Sequence, residues 1–284
     1  MHIALLGFFL LTFAVTWTAW LAPAVLAAPR SAGLFGVGGP VFLFGVFAPA
    51  FVALALTAHD EGRAGVARLL ARIGKWQVGA RFYLFAIGYM AATKLLAALI
   101  HRIALGEWPT FGNTPLLLML GAILVSTWVQ AGEEVGWRGY ALPRLATYLG
   151  LGGASVLLGV IWALWHLPLF FLHGSGSEGQ SFPIYLLHVT ALSVAMSWLY
   201  WKTEGSLLLV MLMHAAVNNT TDIVPAAMPN AVDAMSLEGS LMAWATVAVS
   251  WVVAALLLFR ARGAEIGAML RSGSGQSQFG EPAV

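Results

Sequence analysis

Apolar residues run along this chain in blocks, and each block is about as long as a membrane is thick. They cover Ile3–Ala27, Leu34–Ala58, Phe82–Ile100, Thr114–Ala131, Leu151–Leu172, Phe182–Trp201, Ser206–Val224 and Leu241–Phe259. A spanning helix needs roughly 20 apolar residues, so the pattern predicts eight transmembrane helices in an all-α, polytopic membrane bundle. Between the second and third blocks, His59–Arg81 holds Arg63, Arg68, Arg72, Lys75 and Arg81, with Val66, Leu69, Leu70 and Ile73 at helical spacing. That alternation predicts a basic amphipathic helix lying on the membrane surface. The first block is too long for a signal-peptide core, and no Lys or Arg precedes it, so it reads as a retained helix. Residues 1–259 then form one transmembrane domain. From Arg260 to Val284, with Ser-Gly-Ser-Gly-Gln-Ser from Ser272, the composition predicts a disordered cytoplasmic tail.

Composition agrees with the pattern. The chain is 60% hydrophobic and 9% charged, against roughly 25% charged in soluble domains. Without cysteine there is no disulfide, no thiolate metal ligand and no cysteine nucleophile. The pI near 9.1 reflects basic loops and not a nucleic-acid surface, so nucleic acid is not an expected partner. Counted on alternate sides of eight spans, one side carries Arg63, Arg68, Arg72, Lys75, Arg81, Arg138, Arg144, Lys202, Arg260, Arg262 and Arg271, the other only Arg30 and Arg102. The positive-inside rule predicts a multi-pass protein of the cell inner (plasma) membrane with both termini in the cytoplasm. No internal repeat is visible.

In so apolar a chain the polar residues inside the blocks carry the chemistry, because a charge within a bilayer is expensive without a partner or a task. Gly132–Arg138 reads Gly-Glu-Glu-Val-Gly-Trp-Arg, at the end of the fourth block. Glu134 and Arg138 are four apart, acid first, the favourable order for a helical ion pair. Glu133 points about 100° away and has no cation at that spacing. Glu134 with Arg138 therefore reads as structural support, and Glu133 as a candidate general base. The plainer alternative is that both acids mark a helix end among lipid headgroups. The fifth block holds Trp162-x-x-x-His166 and the seventh His214-x-x-x-Asn218, each pair sharing a helix face. Trp162 reads as packing, and Pro168 as a bend that frees a backbone carbonyl.

These groups form a hydrolytic set. Glu133 with His166 is able to activate water, while His214 and Asn218 offer donors to a tetrahedral oxyanion. The preferred reading requires no cofactor, since an amide at 218 suits an oxyanion site better than a zinc shell. The same atoms leave a second possibility, with Glu133, His166 and His214 as a three-ligand Zn2+ set. No His-Glu-x-x-His is present.

The order Glu-Glu-x-x-x-Arg, aromatic-x-x-x-His, His-x-x-x-Asn on successive membrane helices resembles the CPBP family. These are the CAAX proteases and bacteriocin-processing enzymes, eight-helix intramembrane proteases that include the type II CAAX prenyl endopeptidase. The resemblance covers roughly residues 116–224 and matches Glu133, Glu134, Arg138, His166, His214 and Asn218. It departs at Trp162, where Phe is commoner. It implies an endopeptidase that hydrolyses peptide bonds of membrane-associated proteins or peptides near the cytoplasmic face. Two other classes compete: a proton- or ion-coupled transporter relaying through Glu133, His166 and His214, and a non-catalytic immunity or scaffold protein on the same fold.

Overall fold

The computed structural model of the chain describes residues 2–25, 39–225 and 233–274. The expected end of the first span at Ala27, the expected start of the second at Leu34, and residues 275–284 of the tail lie outside these. Among the described residues the protein is all helical, with no strand. In chain order the helices are α1 (His2–Val25), α2 (Gly39–Ala71), α3 (Ala80–Leu105), α4 (Leu116–Val129), α5 (Ala131–Glu134), α6 (Leu142–Trp165), α7 (Phe182–Lys202), α8 (Leu207–Thr220) and α9 (Leu241–Ser274). Six stretches are long and apolar enough to cross a membrane by length and composition, namely 3–22, 39–74, 80–105, 116–165, 182–202 and 241–260.

The 116–165 stretch turns back on itself. Trp162 Nε1 donates to Glu133 Oε2 over 2.7 Å, although 29 residues separate the two. A straight helix would hold them about 43 Å apart. The reversal occurs at Gly150, whose φ of 63° and ψ of 173° lie outside any helix. Only a residue without Cβ takes that conformation readily. Before the reversal the backbone loosens into π-helical geometry over Val135–Ala141, a distortion that recurs at functional sites.

Two glycines set the depth of this segment against α2. A Cβ on Gly132 would lie 2.9 Å from the Phe47 ring and 3.1 Å from Val46 O, and one on Gly136 would lie 2.6 Å from three atoms of Pro49. Spaced four apart, they form a small-xxx-small face that brings two backbones together. Gly159 does the same for α6 on α7, where its Cβ would meet Thr190 Cα at 2.7 Å. There Ser193 Oγ also donates to Ser155 O at 2.9 Å.

The short helix α8 is the centre of the bundle. Its 14 residues span only about 21 Å, and Leu207–Val217 are almost wholly buried between neighbouring helices. The basic 59–81 region is not one separate surface helix. It continues α2 through a kink at Gly62, where φ is 64°, and ends in a 3-10 turn at Arg72–Gly74. Its Leu69 is buried and lies against Gly139, so part of its apolar face packs on protein. At the other end, α9 stays helical past Arg260 to Ser274, beyond the point where composition predicts the tail to begin.

Candidate active site

Glu133 and Glu134 do not sit at a helix end among headgroups. The helical path runs on through both into the π segment, leaving Glu133 6% exposed and Glu134 and Arg138 at 0%. Two adjacent carboxylates buried in an apolar bundle require partners, and the fold supplies them from different helices.

Glu134 lies on its own helix's Arg138, with Nη1 at 2.9 Å from Oε1 and 3.1 Å from Oε2. It also reaches α8, where His214 Nδ1 stands 2.8 Å from Oε1. Glu133 points the other way, as helical spacing requires, and accepts the Trp162 indole N–H. The Trp162 ring lies under the Arg138 guanidinium at 4.3 Å and meets the His214 ring edge-on at 5.2 Å. Trp162 is thus more than packing, and Glu133 is not without a partner. Sequence reading missed both links because a helical wheel reports only neighbours on the same helix. The available signal was the indole itself, a donor-only group one turn before a histidine inside a membrane segment.

His166 closes α6. Leu169 N turns to His166 O in the 3-10 turn that contains Pro168, and Trp165 O accepts instead from Trp17 Nε1 of α1 at 2.9 Å. The helix ends at Trp165, three residues before the proline, rather than bending there, and the carbonyl that the 3-10 turn releases is that of Trp165. The His166 ring is caged by Trp165 at 4.6 Å and Tyr185 at 5.6 Å, and its Nδ1 is 2.8 Å from Trp162 O. A backbone carbonyl and a carboxylate only accept hydrogen bonds, so Nδ1 carries a proton in both His166 and His214. In each ring Nε2 remains. Among the described residues neither Nε2 has a hydrogen-bond partner.

Glu133, Trp162, His166, His214 and Asn218 all line one cavity of about 500 Å³. Asn218 is exposed within it, while its neighbour Asn219 turns away to Ser126 Oγ at 2.9 Å. The lining also includes Lys94, Tyr185 and His188, the last bonded to Ser250 Oγ at 3.3 Å. The volume falls within the usual 300–1,000 Å³ range of ligand sites. No group of three His, Asp or Glu among the described residues is placed to hold a metal ion. The Nδ1 contacts of both rings are nonetheless of the kind that orients metal-bound histidines.

The cavity also reaches the loops 171–181 and 233–240, through Gly176, Ser177, Gln180, Ser181, Glu238 and Gly239. These connections lie at the end of the bundle opposite Arg63–Arg81, Arg144 and Lys202, the basic end. The sequence predicts both a cytoplasmic basic end and a site near the cytoplasmic face. In the folded chain the cavity extends toward the other end.

Two comparisons bear on this geometry. Residues 113–220 match the family described as type II CAAX prenyl endopeptidase Rce1-like. The chain is also 25% identical over 234 residues to the CAAX prenyl protease 2 of Methanococcus maripaludis, a match covering 76% of this chain and 83% of the relative. The matched segment holds α4 to α8, and with them Glu133, Trp162, His166, His214 and Asn218.

Proposed function

We propose that this chain, a peptidase of the CAAX-protease family, is an intramembrane endopeptidase in which Glu133 and His166 activate the water that attacks a peptide bond. The observation that carries this is the convergence of Glu133, His166, His214 and Asn218, from three separate parts of the chain, on one cavity.

The chemistry follows from which atoms are committed elsewhere. Glu133 Oε2 is held by Trp162, leaving Oε1 to the cavity. His166 has its Nδ1 proton on a carbonyl, so its neutral Nε2 is a lone pair. A water between Glu133 and His166 donates one hydrogen bond to each. Glu133 takes a proton as the water oxygen attacks the carbonyl carbon. The resulting oxyanion receives Asn218 Nδ2–H and a hydrogen bond from His214. Because His214 already donates Nδ1–H to Glu134, it donates from Nε2 only as an imidazolium. The tetrahedral intermediate then collapses, the C–N bond breaks, and Glu133 returns its proton to the departing amine. No step draws on a metal, and no cofactor enters the reading.

Eight crossings accommodate this site. The reversal at Gly150 divides 116–165 into two, and α8 makes one more, shorter than the roughly 30 Å hydrocarbon thickness because it lies inside the bundle. Substrates are membrane-associated proteins or peptides, and the bilayer is the solvent of the outer helices. Delivery from the cytoplasmic face requires the loops 171–181 and 233–240 to lie there, an orientation opposite to the basic-residue count. Single cysteines at Ser177 and Lys202, labelled in intact cells with an impermeant reagent, decide between them. The function itself is tested with purified protein in vesicles carrying a membrane-anchored peptide. Cleavage by the wild type and none by Glu133→Gln is the expected result, and cleavage by both refutes the assignment.

A further inference from the structure

The second carboxylate has more contacts than an ion pair needs. Glu134 is fully buried, and its Oε1 is shared between Arg138 Nη1 at 2.9 Å and His214 Nδ1 at 2.8 Å. The two residues of the second contact lie 80 positions apart on different helices. If Glu134 served only to neutralise Arg138, both oxygens could turn to the guanidinium in a two-pronged pair. Instead a single guanidinium nitrogen donates to both oxygens, and among the described residues Arg138 Nε and Nη2 are left without hydrogen-bond partners. The carboxylate is oriented toward α8 at the expense of the better ion pair.

We infer that Glu134 is a positioning residue for His214: it holds the Nδ1–H form of the ring and so presents Nε2 to the cavity. A ring turned over would bring Nε2 to Glu134 and take the acting nitrogen away from the site. A carboxylate accepts only, so it fixes the rotamer and keeps Nδ1 protonated, leaving Nε2 toward the cavity as the nitrogen that donates when the ring is an imidazolium. The Arg138 guanidinium, stacked 4.3 Å over Trp162, links this contact to the indole that holds Glu133. The two adjacent glutamates thus orient opposite sides of one site. This inference rests on the peptidase reading above.

The test separates positioning from neutralisation by removing both charges first. In an Arg138→Met background, Glu134→Gln keeps an acceptor for Nδ1–H, and Glu134→Met does not. Both double variants lack the buried pair and have similar volume, and replacing such pairs by apolar groups is often neutral for stability. Expected are equal KM values and a kcat about 10²-fold lower for Glu134→Met/Arg138→Met, the scale of a misplaced catalytic group. Equal kcat in the two would overturn the inference. Nitrogen-15 spectra of the His214 ring in the wild-type protein supply a measurement independent of variant folding and of activity. A protonated Nδ1 that loses its hydrogen-bond shift in Glu134→Met/Arg138→Met supports the inference, and an unprotonated Nδ1 in the wild type refutes it. Should the wild type cleave no peptide, the peptidase reading falls, while these spectra still report whether Glu134 orients the ring.

Discussion

Glu134→Gln and Glu133→Gln are the same chemical change one residue apart, and the structure predicts opposite consequences. Glu134→Gln leaves Arg138 charged, 0% exposed and without an ionic partner, since among the described residues its Nε and Nη2 have no hydrogen-bond partner. Breaking a buried pair in this way costs about 3–5 kcal/mol. At about 2–4 °C per kcal/mol, the melting temperature falls by roughly 6–20 °C. Glu133→Gln keeps a carbonyl oxygen for the Trp162 N–H, and the exchange costs about 1 kcal/mol or less. The melting temperature of that variant therefore stays within a few degrees of wild type, while cleavage falls by at least the roughly 10²–10⁴-fold that a general base supplies. The assay is thermal unfolding in detergent beside single-turnover cleavage of the vesicle-bound peptide, on matched amounts of folded protein. The division of roles is refuted if both variants lose the same stability, or if the Glu133→Gln protein still cleaves.

Three further outcomes follow from the geometry. Asn218→Ala lowers kcat by about 10²–10³-fold with KM little changed, because an oxyanion donor acts in the transition state; a change confined to KM would count against that role. Exhaustive chelation leaves the activity of purified enzyme unchanged; one zinc per chain by elemental analysis, with activity lost on its removal and restored on its return, would make Glu133, His166 and His214 ligands instead. Gly136→Val drives a side chain into Pro49, whose backbone is 2.6 Å from the position of a first Cβ, and lowers stability by about 1–3 kcal/mol or more; an unchanged melting temperature would show that α2 and the π segment are free to separate.

Much of the site was legible in one dimension. Glu134 and Arg138 pair at i and i+4 as the spacing requires, and the Trp162, His166, His214 and Asn218 faces all turn toward the same cavity. Polar side chains in an apolar chain have few places to go, so their convergence follows from composition and helical period. The order Glu-Glu-x-x-x-Arg, Trp-x-x-x-His, His-x-x-x-Asn likewise pointed to the peptidase family before any coordinate.

What periodicity does not carry is which helix lies against which. The apolar runs specify membrane helices because each run satisfies its own backbone hydrogen bonds and needs only lipid outside. A wheel drawn for 132–138 could not supply Trp162 to Glu133 or His214 to Glu134, because those partners are 29 and 80 residues away. The alternative that the acids mark a helix end arose because the apolar run stops there, yet they are buried, since the chain doubles back at Gly150 and covers them with α6 and α8. The sequence by itself determined an all-helical membrane protein and the chemical groups of its site. Only the tertiary structure decided the partners of each carboxylate, the nitrogen that His214 turns to Glu134 and the end of the bundle toward which the cavity extends, because these depend on contacts between helices far apart in the chain.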